Sequence, residues 1–297
     1  MSFSASLQSR SPRSLGLFCL MITSLGWGIN WPAMKFLLRE WPPLFARGVA
    51  GVAAACLLAA IAAAAGQRLR VPRELLGRLT LGAFTNVFAW MGFSTLSLRW
   101  LNVGQAALLV YTMPLWATLL AWPLLGKRPS LRDSMGLALC IAGVALLFGG
   151  PDASLGTDQL AGALFALGAA FFFALGTVAL KPTPLPPFTA LAWQVGIGCA
   201  PMLVLGLLFE QPDFHALSAG GWGVMAYMTV MPMGICYLTW FAALRRLPPA
   251  TASIATLLTP IIGVTAAALS LGEPLGLRQL LAMALTIGGV AFVLRKA

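Results

Sequence analysis

The groups in this chain that could do chemistry are few, and where they stand decides what they can do. Among 297 residues there are eight Asp and Glu and one histidine. Glu40, Glu74, Asp133, Asp152, Asp158, Glu210, Asp213 and Glu273 fall between long apolar segments or at their ends, and His215 sits in a polar link. A proton relay or a pump for lipophilic cations needs a carboxylate within an apolar segment, and the sequence places none there. An HExxH zinc helix, a phosphate loop ending in Gly-Lys-Ser or Gly-Lys-Thr, and a His or Asp dyad within the apolar segments are equally missing. Cys19, Cys56, Cys140, Cys199 and Cys236 have neither CxxC nor metal-ligand spacing and read as buried free thiols. The sequence therefore calls for no enzymatic activity, no metal and no cofactor, and without a nucleotide-binding motif it cannot drive transport with ATP by itself.

What remains are uncharged polar and aromatic groups inside apolar segments. Trp27, Asn30, Trp90, Tyr111, Thr112, Trp193, Gln194, Tyr237, Ser253 and Thr256 are the candidates for binding a substrate. An unpaired amide, indole N–H or phenol in hydrocarbon is costly, so each needs a partner. A neighbouring helix can provide one, which is the plainer reading of any single residue. As a set they suit a pocket with aromatic walls, hydrogen-bonding groups and no net charge, fit for a neutral or zwitterionic solute. Trp41, Trp100 and Trp222 lie near segment ends and read as interfacial anchors. Arg47 is the one charge inside a segment; only a turn deep, it would reach back to the interface. Its alternative roles are an outer gate or a hold on a substrate carboxylate.

Helix breakers mark where such segments would bend. Gly28 and Pro32 interrupt the first, Pro114 the fourth, Pro232 the eighth and Pro260 the ninth. Proline frees a carbonyl, which hydrocarbon tolerates only against protein or a water-filled cavity. With Arg47, these five are the candidate gating and hinge positions.

The elements that must hold these groups follow from composition. Hydrophobic residues make up 59% of the chain and charged ones 9%, against roughly 25% charged in soluble proteins. Continuous apolar runs predict an all-α, polytopic membrane protein rather than a barrel of alternating strands. Ten transmembrane helices are expected near 15–36, 43–65, 76–98, 101–125, 131–149, 159–181, 187–209, 219–243, 250–271 and 277–294. The net charge of +11 needs no nucleic-acid partner. With the N-terminus in the cytoplasm, fourteen Lys and Arg fall on the cytoplasmic side, against Lys35, Arg39, Arg99 and Arg278 outside. That bias puts both termini in the cytoplasm. Arg10 and Arg13 before an apolar run resemble a signal peptide, but Trp27, Trp31 and Pro32 stand where a cleavage site would be, so an uncleaved first span is expected.

The second half repeats the first at one offset. Leu98-Arg99-Trp100-Leu101 returns as Leu244-Arg245-Arg246-Leu247, Pro114 as Pro260, Gly126 as Gly272, Arg132 as Arg278, Gly16 as Gly162 and Lys35 as Lys181. Five spans per half would invert the second copy, the plan of many secondary transporters with a site between the halves. The expected organisation is a cytoplasmic segment 1–14, a first repeat 15–149, a linker 150–158, a second repeat 159–294 and a cytoplasmic end 295–297. The bilayer and a small-molecule substrate are the expected partners, and nothing in the sequence demands more than a monomer.

The pattern resembles the drug/metabolite transporter superfamily, in its ten-span branch of two tandem EamA-type halves. Gly26-Trp27-Gly28 with Lys35, Arg47, Pro114 followed by Leu-Gly-Lys-Arg-Pro (125–129), and Pro260 followed by Leu-Gly-Glu-Pro (271–274) carry the resemblance. It implies an inner-membrane secondary carrier with a cavity between its halves. Within the branch the chain is most similar to exporters of aromatic and other neutral amino acids. The halves are unequal, since Ala174 replaces Gly28 and no arginine matches Arg47.

Overall fold

The computed structural model describes residues 12–148, 157–181, 183–247 and 257–294. The expected linker, the extreme termini, and the candidates Ser253 and Thr256 lie wholly or mostly outside them. Among the described residues there is helix and no strand.

Ten helical units follow in order among these residues. They are α1 (Pro12–Leu37), α2 (Pro43–Ala64), α3 (Arg73–Ser97), α4 (Val103–Leu125) and α5 (Leu131–Phe148). The second set is α6 (Thr157–Ala179), α7 (Pro187–Phe209), α8 (Ala219–Leu244), α9 (Leu258–Leu271) and α10 (Leu277–Leu294). By length and composition six are apolar enough to cross a membrane: α1, α2, α4, α6, α7 and α8; α9 and α10 are shorter apolar helices. Their bounds lie within a few residues of those expected from hydropathy, except at the start of α9, where the expected span from 250 falls largely outside the described residues.

Local chemistry sets the helix ends. Proline at the first turn opens α2 and α7, where a missing N–H costs nothing. A capping box opens α4: Asn102 accepts from the Gln105 N–H at 2.8 Å, and Gln105 accepts from the Asn102 N–H at 3.2 Å. Gly126 and Gly272 end α4 and α9 at φ of 70° and 69°, a left-handed conformation that a side chain disfavours. That these two glycines match across the repeat shows the same ending used twice.

Equivalent helices of the two halves pack on each other in antiparallel pairs. In α2 and α7, Gly48 meets Leu203, Gly51 meets Cys199 and Phe45 meets Gly206, so residue numbers rise in one helix as they fall in the other. In α5 and α10, Arg132 Nε donates to the Phe292 carbonyl at 2.9 Å while Arg278 Nε donates to the Leu146 carbonyl at 2.6 Å. Each of these bonds is the other's image at the repeat offset. Gly16 against Leu247 and Gly162 against Leu101 form another such pair. The contacts thus obey a pseudo-two-fold relation between the halves. Small residues where helices cross let backbones approach closely, as is usual in lipid, where association rests on packing.

The links between α1 and α2, α3 and α4, α7 and α8, and α9 and α10 gather at one end of the bundle, here the α1–α2 end. They are bonded tightly. Glu210 accepts from the N–H groups of Leu44 and Phe45 at 3.1 and 2.8 Å, and Glu273 accepts from the N–H of Val103 at 2.8 Å. Glu40 accepts from the Ser218 hydroxyl at 2.6 Å, and Trp41 Nε1 donates to the Asp213 carbonyl at 2.9 Å. Carboxylates at helix N-termini satisfy orphan donors and oppose the dipole. Here three of them tie one half to the other. Trp41 is buried at 4% exposure rather than anchored at an interface, because its ring packs on Phe45 and its N–H finds that carbonyl. The five cysteines are free; four are buried, but Cys56 is exposed on α2.

Candidate functional site

Two breaks shape the centre of the bundle. In α3, residues Phe84–Gly92 wind as a π-helix; in α8, Met231–Ile235 do the same, within the stretch that the repeat offset maps onto the first. A π segment widens the turn and redirects carbonyls, and it is common at functional sites. Sequence marks the α8 break through Pro232 and Gly234, but α3 contains no proline to mark its own. In α4 the helix stops at Tyr111–Thr112 and restarts at Met113 with Pro114 in its first turn. The Thr112 hydroxyl, donating to the Leu109 carbonyl at 2.6 Å, is spent on this break.

Between the π segments and α1 lies a cavity of about 500 Å³, inside the range of roughly 300–1,000 Å³ typical of ligand sites. Both halves line it: Trp27, Asn30, Trp31 and Met34 from α1, Arg47 from α2, and Trp90, Met91 and Ser94 from α3; Tyr111 and Met113 come from α4, Phe173 and Thr177 from α6, and Pro232, Met233, Tyr237 and Trp240 from α8. The aromatic walls are mutually braced. Trp27 meets Tyr237 edge-on at 5.6 Å and Trp240 at 5.7 Å, and Trp90 meets Phe173 at 4.5 Å. The Trp27 ring N–H donates to the Pro232 carbonyl at 3.1 Å, in the α8 π segment. Four thioethers soften the remaining wall.

Of the residues singled out from sequence, the structure brings Trp27, Asn30, Arg47, Trp90, Tyr111, Pro232 and Tyr237 together here. Others lie elsewhere. Trp193 is 43% exposed, its indole N–H donating to the Leu69 carbonyl at 2.7 Å in the α2–α3 link. Gln194 faces Gly82 of α3. Gly28 lets α1 approach Ile262 and the Thr259 carbonyl of α9, and a Cβ there would stand 2.6 Å from Ile262. Pro32 is buried inside a continuous α1, Pro114 begins the second part of α4, and Pro260 is buried near the start of α9.

Arg47 departs most from expectation. It does not reach back to an interface: it is 5% exposed, lines the cavity, and its Nη1 donates to the Met34 sulfur at 3.6 Å. Its Nε has no partner among the described residues. No Asp or Glu stands among the residues that line the cavity with it. The cavity therefore carries a positive charge, against the charge-free interior expected from sequence. The reason is geometric. Tight α2–α7 packing turns one face of α2 inward, and the rotation of an all-apolar helix is not written in its sequence.

Burial along the cavity is graded. Trp31, Met34, Arg47, Met91, Ser94 and Tyr111, toward the α1–α2 end, are buried; Trp27, Tyr237 and Trp240 are half-buried, and Thr177, close to the opposite end of α6, is exposed. The cavity is thus closed at the α1–α2 end. The repeat shows the same asymmetry in one residue pair. Lys35 Nζ donates to the carbonyls of Leu98 and, at 2.8 Å, Leu101, at the end of α3. Its counterpart Lys181 is exposed, and among the described residues it makes no such bond to Leu244 or Leu247.

Comparison with known proteins agrees with the two-fold repeat of the chain. The profile of the EamA-like transporter family fits the chain twice, over residues 14–149 and 160–295. An uncharacterized transporter of Bacillus subtilis, YvbV, is 27% identical, covering 96% of this chain and 93% of its own length. A probable amino-acid metabolite efflux pump of Salmonella typhimurium is also 27% identical, over 92% of each chain. The uncharacterized inner membrane transporter YedA of Escherichia coli K12 is 26% identical over 93% of this chain and 89% of its own. One crystal structure superposes with a TM-score of 0.64 at 18% identity, covering 95% of this chain and 96% of that one, which shows a shared fold.

Proposed function

Because the chain belongs to the EamA-like transporter family, we propose that it is a secondary carrier that exports neutral, chiefly aromatic, amino acids or related small metabolites across the inner membrane. The observation that carries this reading is the cavity between the halves, walled by Trp27, Trp31, Trp90, Trp240, Tyr111 and Tyr237. Flat rings offset by a few polar groups suit a small solute with an apolar side chain. The relative named as an amino-acid metabolite efflux pump supports the same solute class.

All ten helical units span the bilayer in this reading, the two halves inverted, with both termini cytoplasmic as the charge distribution directs. The α1–α2 end then faces outward, and the graded cavity is open to the cytoplasm. Alternating access follows from the repeat. Lys35 closes the outer end through the α3 carbonyls, while Lys181 stands released at the inner end. In the opposite state the roles exchange, and Lys181 binds the carbonyls of Leu244 and Leu247. Opening at α4 and α9, near Pro114 and Pro260, accommodates the change.

Counterflow tests the reading. Proteoliposomes of the purified chain, preloaded with unlabelled amino acid, should take up labelled phenylalanine, tryptophan and leucine but not lysine, with no ion gradient. Uptake restricted to neutral hydrophobic compounds lacking an amino-acid backbone would move the function to export of drugs or hydrophobic metabolites. Absence of any solute flux by folded protein would leave a non-transporting membrane scaffold or receptor.

A further inference from the structure

The buried end of the cavity contains polar groups that nothing among the described residues satisfies. Arg47 keeps Nε unpartnered, and Asn30 Oδ1 is likewise buried without a hydrogen bond among the described residues. Both side chains flank the sulfur of Met34: Arg47 Nη1 lies 3.6 Å from it and Asn30 Nδ2 3.9 Å. Thr95 Oγ1 lies 3.4 Å from the same sulfur, its own proton given to the Met91 carbonyl at 2.7 Å. A thioether is a weak acceptor, yet among the described residues it is the acceptor that the guanidinium has. A buried cation left this way is costly. A guanidinium fork pairs bidentately with a carboxylate or a phosphate, and with Arg47 the one charged group among the lining residues the singly charged carboxylate is the better match.

We propose that Arg47 and Asn30 form a head-group subsite for an α-amino acid, the Arg47 guanidinium holding its carboxylate and Asn30 Oδ1 accepting from its ammonium. The subsite rests on the reading of the chain as an amino-acid carrier and narrows it: the carboxylate is obligatory, so amides, esters and neutral drugs of the same shape are rejected. One donor and one acceptor beside a single sulfur match the adjacent, opposite charges of a zwitterion. The substrate side chain then lies toward Trp27, Trp90, Tyr237 and Trp240, further along the cavity. No arginine stands at the matching place in the second half, so the head group binds to one half alone.

Titration calorimetry of the purified full-length protein in detergent tests this with three compounds: L-phenylalanine, L-phenylalaninamide and 3-phenylpropionate. Phenylalanine should bind about 10- to 100-fold more tightly than its amide, the effect of a charge-assisted hydrogen bond. Arg47→Gln should bring that ratio close to one, and Arg47→Lys should restore part of it; a ratio measured within each variant does not depend on overall stability. Asn30→Leu should weaken phenylalanine and spare 3-phenylpropionate, which has no ammonium. Equal binding of phenylalanine and its amide by the native protein, or a ratio unchanged in Arg47→Gln, would overturn the carboxylate site while leaving an amino-acid carrier in place. Equal weakening of both acids by Asn30→Leu would overturn the ammonium assignment. Binding of 3-phenylpropionate through Arg47, with no amino acid bound, would keep the carboxylate site and refute the amino-acid reading. If none of the three compounds binds, both fall.

Discussion

Replacing Lys35 by methionine should open the outer end of the carrier. Methionine keeps the length of the apolar stem and removes the ammonium, so the carbonyls of Leu98 and Leu101 lose their shared donor. Those carbonyls end α3, where the helix dipole also favours a cation. A hydrogen bond from a charged group is worth about 1.5–3 kcal/mol. Lys35 is half-exposed and water replaces part of the loss, so a net change of about 1–2 kcal/mol is the fair expectation. That corresponds to an outer-open population raised by about 5- to 30-fold. The assay is labelling of Ser94→Cys by a membrane-impermeant maleimide applied from outside, in a Cys56→Ser background. Ser94 lines the cavity and is 5% exposed, so the reagent reaches it only when the outer end opens. The rate should rise about 5- to 30-fold in Lys35→Met. Lys181→Met should not raise it, because in the proposed exchange the Lys181 bonds form only in the outer-open state and their loss would disfavour that state. An unchanged rate in Lys35→Met, or an equal rise in Lys181→Met, would refute the argument from the repeat.

Other expectations concern packing and the limits of the site. A Cβ at Gly48 would stand 2.4 Å from the Leu203 backbone nitrogen, so Gly48→Ala must push α2 and α7 apart by about 1 Å to reach ordinary contact. The cost of about 1–3 kcal/mol should appear as a lower thermal midpoint in detergent; Gly77→Ala, with open space around it, should leave the midpoint unchanged or raise it. Maleimide treatment of the native protein should leave Cys19, Cys140, Cys199 and Cys236 unmodified until it is denatured, as all four are buried, and mass spectrometry counts the adducts. Trp193→Phe should leave phenylalanine counterflow intact, because the ring is outside the cavity. Trp27→Phe, which loses the bond to the Pro232 carbonyl, should lower it by about 2- to 10-fold. Equal losses in both variants would contradict the placement of the site.

Much of the architecture is legible in the sequence because hydrocarbon imposes length and apolarity on any helix that crosses it. The bounds of α2, α7 and α10 fall out of hydropathy, and the offset from Leu98 to Leu244 announces the repeated half. What hydropathy cannot give is rotation. In lipid the outward face of a helix is as apolar as its inward face, so no amphipathic stripe says which way a residue points. Trp193 and Trp90 look alike in sequence, yet one is bonded to a surface link and the other walls the cavity. Arg47 is misplaced for the same reason. The π segment of α3 has no proline to mark it, and only its match to Met231–Ile235 across the repeat would have shown it. Met34, invisible as a polar contributor, turns out to be the sulfur around which Asn30, Thr95 and Arg47 gather.

The central claim is that flux requires the two ends of the cavity to open in turn, and locking one end tests it most directly. Glu40 and Ser218 join the halves across the closed end, their side-chain oxygens 2.6 Å apart. Cysteines at both positions, in a Cys56→Ser background, can be bridged with a short reducible cross-linker after reconstitution. Phenylalanine counterflow should run before bridging, fall to the level of empty vesicles once the bridge forms, and return on reduction. Undiminished counterflow with the bridge complete would contradict alternating access through this cavity.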